Sequence, residues 1–211
     1  MIKRNLLIAI LILCSIGIIK GQTVSDSLAI MSARWKVESP QKGIIHKYAS
    51  IPRLYQGTQS VSLIEIEPGA GLKVDIAVSD EMKETSRIAS EHRGIAAING
   101  SYFDMKRGNS VCFLKVGNQV VDTTTLSECK LRVTGAMHVH KGKIKLIPWS
   151  RQIEKEYKGE TGIVLASGPL MLKDGQICDW NSCGTNFIRT KHPRSAVATT
   201  KEGKILLITV D

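Results

Sequence analysis

Asn99, Asp104 and Arg194 draw attention because each sits in a short polar run entered from or leading into apolar residues, the setting in which a rigid sheet holds reactive groups at its rim. The first run is Asn99-Gly100-Ser101-Tyr102-Phe103-Asp104, entered from Ala96-Ala97-Ile98. The second is Ser167-Gly168-Pro169, and the third is His192-Pro193-Arg194-Ser195. A planar guanidinium engages two oxygens of an anion at once, so Arg194 is the candidate clamp for an anionic group, and Pro193 keeps the residue before it extended. Asn99 offers both a donor and an acceptor to a hydroxyl, and Gly100 lets backbone amides approach a ligand. Ser167 and Gly168 can supply a hydroxyl and an amide as a small anion nest, and His192, the first residue of the third run, is a further candidate to touch the anion. Asp104 can act as base, nucleophile or charge stabiliser. Each residue also has a structural reading: a salt bridge for Arg194, a tight turn for Asn99-Gly100, core packing for one ring of Tyr102 and Phe103, and a turn cap for Asp104. Taken together the residues suit an anionic, hydroxyl-rich ligand. Ser167-Gly168-Pro169 does not match a Gly-x-Ser-x-Gly nucleophile elbow, which argues against an acyl-transfer serine.

In order and spacing the three runs, with the closing Ile205-Leu206-Leu207-Ile208-Thr209-Val210-Asp211, resemble the phosphodiester glycosidase family over residues 64–211. The family pattern reads Asn-Gly-Gly-Phe-Phe-Asp, Ser-Gly-Pro with a following apolar pair and Gly, Pro-Arg-Thr-Ala, and a strand ending in Asp-Gly-Arg. Ser101 stands for the second Gly, Tyr102 for the first Phe and Ser195 for the Thr. Asp211 stands at the start of the Asp-Gly-Arg signature, and a family turn of the Asn-Leu-Asp-Gly-Gly-Gly-Ser-Ser type has no counterpart here. The resemblance implies an exported hydrolase that cleaves the glycosidic bond of a sugar-1-phosphodiester of the N-acetylglucosamine class. It implies Asp104 and Asp211 as catalytic acids, and Asn99, Gly100, Ser101, Tyr102, Ser167, Gly168, His192 and Arg194 as substrate-binding residues. Neither cofactor nor metal is implied. Cleavage of the phosphorus–oxygen bond and non-catalytic glycan binding are the competing activities. An apolar strand that closes a chain without a polar tail also predicts that the chain is a fragment of a longer one.

Lys3 and Arg4 followed by an apolar run from Leu6 to Ile19 predict a secretory signal peptide cleaved after Gly21. The run is short for a permanent span, and bulky Ile12 and Leu13 before Cys14 disfavour a lipoprotein. Loss of Lys3, Arg4 and Lys20 lowers the formal net charge from +10 to +7. A positive balance suits phosphodiesters, nucleic acid and acidic surfaces alike. The cations are dispersed and lack the interleaved aromatics of a nucleic-acid groove, so no nucleic-acid partner is expected. Export would leave Cys112, Cys129, Cys178 and Cys183 where disulfides persist, and sequence proximity favours Cys178 with Cys183 and Cys112 with Cys129. Their spacing lacks the short paired knuckles of a zinc site. His138 and His140 share one side of a strand, which more often marks a solvated face than a metal site, and no metal is assigned to them.

The elements that must position these groups are mostly strands. Residues 22–60 read as a lead-in with a strand or two, and 61–211 as the functional domain. Residues 61–67 and 72–78 alternate around Pro68-Gly69-Ala70-Gly71 as a strand pair. Asp80 reads as the N-cap of a helix reaching Glu91, followed by a strand into Asn99, which makes one β-α-β unit. Hairpins are predicted across Gly117-Asn118, across His140-Lys141-Gly142 with a first strand from Leu131, and across Lys201-Glu202-Gly203. A further short strand, residues 162–166, feeds Ser167. The expectation is an α+β fold: a strand-rich mixed sheet with few helices, in a single domain.

Overall fold

The computed structural model describes residues 24–79, 81–159 and 161–211, without the side chains of 24 and 127–129. The predicted leader and the Asp80 cap lie outside the described residues. The chain divides into two compact units. The first holds helix α1 (Val24–Met31) and the segment Ser50–Gln59. There the buried Asp26 accepts a 2.8 Å hydrogen bond from the Tyr55 amide through Oδ1, and Ile51 and Leu54 are sealed from solvent. Tyr55 and Gln56, with φ of 50° and 64°, form the turn that follows Leu54.

The second unit, Trp35–Ala49 with Ser60–Asp211, carries the candidate residues. A first sheet, to which the second unit contributes all but the end of β2 and the start of β3, is built from β1 (Lys36–Gln41), β2 (Ile44–Leu54), β3 (Gly57–Ile66), β11 (Arg194–Thr199) and β12 (Ile205–Val210), in the order β1-β2-β3-β12-β11. β12 pairs antiparallel with both neighbours, Ile208 lying opposite Leu63 on one side and Ala196 on the other. The second sheet contains β4 (Leu114–Val116), β5 (Gln119–Asp122), β6 (Gly135–His140), β7 (Lys143–Pro148) and β8 (Ile163–Ser167), in the order β5-β4-β8-β6-β7. β9 (Leu172–Lys173) and β10 (Gln176–Ile177) form a small separate hairpin. The short helices are α2 (Thr85–Glu91), α3 (Ser127–Arg132), α4 (Arg151–Glu156) and α5 (Thr185–Arg189), with a 3-10 turn at Asn181–Cys183. The fold is therefore strand-rich α+β.

The core lies against the second sheet, where Val111, Cys112, Phe113, Val133, Ala136, Trp149, Val164 and Ala166 are buried together. Phe113, Trp149 and Tyr157 meet with ring centroids 5.1 to 5.7 Å apart, a spacing at which aromatic pairs add to plain area burial. Glu154 ties this cluster to the β5 side, accepting from the Thr124 amide at 2.8 Å and the Thr124 hydroxyl at 2.6 Å.

The three predicted hairpins form, and the one after β6 turns on Lys141 and Gly142 with φ of 49° and 73°. Its first strand starts at Gly135, because residues Ser127–Arg132 are helical. The predicted strand over 72–78 and the one leading into Asn99 are corrected: both stretches lie outside any ladder, so the β-α-β unit reduces to helix α2, which begins at Thr85 after Glu84. Alternation marks a segment that can be a strand. The strand exists only when a neighbour takes up its amides and carbonyls, and residues 72–78 and 97–100 do not meet that condition here.

Candidate active site

The first two runs are stitched into one corner of the second sheet. Ser101 Oγ donates to the Ala166 carbonyl at 2.8 Å, and Tyr102 Oη donates to the Gly168 carbonyl at 2.8 Å. Tyr102 also packs against the core, so of the two rings it is Tyr102 that is part of the packing, while Phe103 is exposed. Gly168 is required by close approach. A Cβ there would lie 2.2 Å from the Arg132 carbonyl oxygen and 2.8 Å from the Thr134 amide nitrogen, so Ser167-Gly168-Pro169 lies flush against the chain leaving α3. Thr134 completes the seat, its Oγ1 accepting from the Leu170 amide at 2.9 Å. Ser167 is half-buried at the end of β8, opposite Gly135.

The third run joins from the first sheet. Ser195 Oγ donates to Asn99 Oδ1 at 2.5 Å, although the two residues are 96 positions apart in the chain. That leaves the Asn99 amide nitrogen for a ligand, and both side chains are exposed with Gly100 between them and the corner. Arg194 is exposed as well. Its Nη2 donates to the carbonyls of Phe187 at 2.9 Å and Thr190 at 3.2 Å, and its guanidinium lies 4.7 Å from the Phe187 ring centroid. Among the described residues no carboxylate pairs with it, so the salt-bridge reading gives way to a cation held by carbonyls and a ring. His192 is exposed in the coil leading to β11. Asp211 follows Val210, the cross-strand partner of Arg194, and exchanges backbone hydrogen bonds with Ser60 at 2.8 and 2.9 Å. It therefore lies at the same end of the sheet as Arg194.

Asp104 adopts the turn-cap geometry. Its Oδ1 accepts from the amides of Lys106 at 2.7 Å and Arg107 at 3.1 Å, while its own amide and carbonyl close the loop to Asn109 and Gly108. Those two amide bonds, more than any neighbouring charge, hold its carboxyl below the ordinary aspartate value. At neutral pH it is a carboxylate, which suits a base or a charge stabiliser and is unsuited to a general acid.

Arg132, Thr134 and Phe187 were not singled out by sequence reasoning. Arg132 is the last residue of α3 and lies over the same Phe187 ring as Arg194, its guanidinium 4.4 Å from the centroid. Phe187 also meets Tyr102 edge-on at 6.3 Å. The available signal was slight: an aromatic seven positions before Arg194, in the five-residue helix α5, too short to show a periodicity.

The cysteine expectation is corrected for one pair. Cys178 and Cys183 are free thiols. The 3-10 turn between them buries Cys183 against the Leu131 carbonyl, 3.8 Å from its Sγ, whereas the Cys178 amide closes the β9–β10 hairpin onto Met171. Nearness in sequence brings two cysteines close without aiming their Cβ atoms at each other. The pairing of Cys112 with Cys129 falls on a side chain outside the described residues. His138 and His140 do share a face, their rings stacked at 6.2 Å, but that face is not solvated at His138, which is buried with Nε2 3.1 Å from the Thr161 carbonyl. Among the described residues no group of three or more His, Cys, Asp or Glu is placed to hold a metal ion.

Comparison with known proteins bears on this arrangement at one point. A family model described as phosphodiester glycosidase matches residues 92–211, a span that contains all three runs and Asp211. No curated protein and no solved structure matches the chain.

Proposed function

The chain belongs to the phosphodiester glycosidase family, and from that membership we propose that it is an exported hydrolase acting on a sugar-1-phosphodiester of the N-acetylglucosamine class. Water adds to the anomeric carbon, the bond from that carbon to the bridging oxygen breaks, the phosphomonoester leaves with the bonding pair, and the surplus proton passes to solvent. A phosphomonoester is a good leaving group, so little general-acid help is needed, in keeping with an Asp104 that stays ionised.

The observation that carries this reading is the Ser195–Asn99 hydrogen bond, which joins the first and third runs next in sequence to an exposed Arg194 that two carbonyls and a ring already orient. Arg194 would hold the phosphoryl oxygens, and its fork is already oriented by two carbonyls and a ring. The free amide of Asn99 would take a sugar hydroxyl. Asp104, through the oxygen its turn does not use, and Asp211, one position past the partner of Arg194, would face positive charge developing at the anomeric carbon. Ser167 and His192 would complete the anion's surroundings.

The predicted leader supports export, and no helix among the described residues is long and apolar enough to cross a membrane. Intact mass of the protein recovered outside the cytosol should show loss of residues 1–21. For the reaction, hydrolysis in oxygen-18 water should label the released sugar. Label in the phosphate would instead assign phosphorus–oxygen cleavage, and glycan binding without any product would assign a binding domain.

A further inference from the structure

The face of the first sheet that carries Ser195 runs on past the candidate site. β12 sets Thr209 opposite Ser195 of β11 on one side and opposite Ser62 of β3 on the other. Directly opposed residues of antiparallel strands point to the same side, so the hydroxyls of Ser195, Thr209 and Ser62 share one face, with Ser195 fixed to Asn99. β2 continues the row. His46 Nε2 and Ser62 Oγ share a 2.9 Å hydrogen bond, and Tyr48, two residues on, faces the same way. Asp211, two residues beyond Thr209 and still paired with Ser60 through its backbone, belongs to this face as well. From Ser195 to His46 the row crosses three strand spacings, about 14 Å.

The chemistry of the row suits neutral, hydroxyl-rich groups. Tyr48 is 42% exposed and offers its ring to the C–H side of a pyranose. Among the described residues the hydroxyls of Tyr48 and Thr209 and the Nδ1 of His46 hydrogen-bond nothing in the protein, so each can serve a ligand. At the far end Lys36 and Glu38 lie opposite Tyr48 and His46 and neutralise each other in a 2.9 Å ion pair. The row therefore presents no unpaired cation to an anionic chain, and a neutral glycan is the occupant its charge fits.

We propose that His46 and Tyr48 form a glycan-binding track continuous with the candidate site, taking the further sugar units of a chain whose reducing-end sugar carries the phosphodiester. This rests on the assignment of Asn99 to a sugar hydroxyl made above, and it makes the substrate an oligosaccharyl phosphodiester. His46 and Tyr48 contact the glycan; Ser62 holds the His46 ring and is a positioning residue.

The test is calorimetric binding of N-acetylglucosamine and of its β-1,4-linked trisaccharide to the full chain and to Tyr48→Ala, Tyr48→Phe and His46→Ala, with circular dichroism melts confirming the fold of each. The parent should bind the trisaccharide about tenfold tighter than the monosaccharide. Tyr48→Ala should bring that ratio close to one, Tyr48→Phe should hold it within about twofold, and His46→Ala should lower it about fivefold. A parent ratio near one, or a ratio that Tyr48→Ala and His46→Ala leave as it was, would overturn the track. If one alanine variant does not fold, the parent ratio and the other variants decide. Hydrolysis of the methyl phosphodiester of N-acetylglucosamine, followed beside the binding, separates this proposal from the reading it rests on: turnover with a ratio near one removes the track and leaves the hydrolase, whereas a tenfold ratio with no turnover removes the hydrolase and leaves the track. A concentration-dependent dimer in sedimentation that Tyr48→Ala converts to monomer would assign the face to a second copy of the chain and overturn the glycan assignment.

Discussion

Ser101 and Tyr102 on one side, and Asn99, Arg194 and Ser195 on the other, come from the same family-like runs yet meet opposite physical conditions. The hydroxyls of Ser101 and Tyr102 are each committed to a backbone carbonyl, in a corner where a glycine is pressed against the chain behind it. Asn99, Arg194 and Ser195 are exposed and hold one another or a ring, and Asn99 and Arg194 keep donor groups for a ligand. Within one motif, then, neighbouring residues divide between building the corner and presenting chemistry from it. A polar residue in a motif is not thereby a ligand contact, and what it already bonds is the deciding observation.

The sharpest way to break this comparison is Gly168→Ala. The added Cβ has only backbone atoms to displace, so overpacking should cost about 3 kcal/mol or prevent folding, read as a lowered denaturant midpoint. A protein as stable as the parent would show that the corner is not rigid. Next is Arg194→Lys, which keeps the charge but loses the planar head whose Nη2 reaches two carbonyls and whose flat face lies on Phe187. Turnover of a sugar-1-phosphodiester should fall about a hundredfold while stability changes by less than about 1 kcal/mol. An equal loss of both would place Arg194 with the scaffold instead. Tyr102→Phe removes one hydroxyl from the Gly168 carbonyl and should cost about 1 kcal/mol of stability. Activity should follow only as far as the corner loosens, and a hundredfold loss of turnover in a stable Tyr102→Phe protein would move Tyr102 to the reacting side.

The smallest effect concerns Asp104, which belongs to both sides at once. Its folded-state pKa lies below the ordinary value, so its contribution to the turn is present above about pH 4 and fades as the pH falls through the lowered value. Amide exchange at Lys106 and Arg107 should accelerate in that acid range, and Asp104→Asn should remove the pH dependence while keeping the turn. If the carboxylate also acts on substrate, Asp104→Asn should depress kcat more than KM. Unchanged turnover would confine Asp104 to capping.

What local chemistry dictates was legible in the sequence. The hairpins at Gly117, Gly142 and Gly203 form because their turns and flanking apolar residues agree, and β8 because its short apolar run has one stable place, inside the sheet. The three runs and the family they signal could also be read from residue types and spacing. Tertiary structure alone decided which of those groups are spent. Only folding puts the Ala166 and Gly168 carbonyls over Ser101 and Tyr102, brings Ser195 to Asn99 and seats Arg132 on Phe187, because each depends on a partner far away in the chain. The same non-local requirement explains the corrections. Residues 72–78 have the alternation of a strand but not the neighbours, and Cys178 and Cys183 have the proximity of a disulfide, yet the intervening turn buries one thiol apart from the other. Sequence specifies what a segment is able to do, and the bonds closed by its distant partners determine what it does.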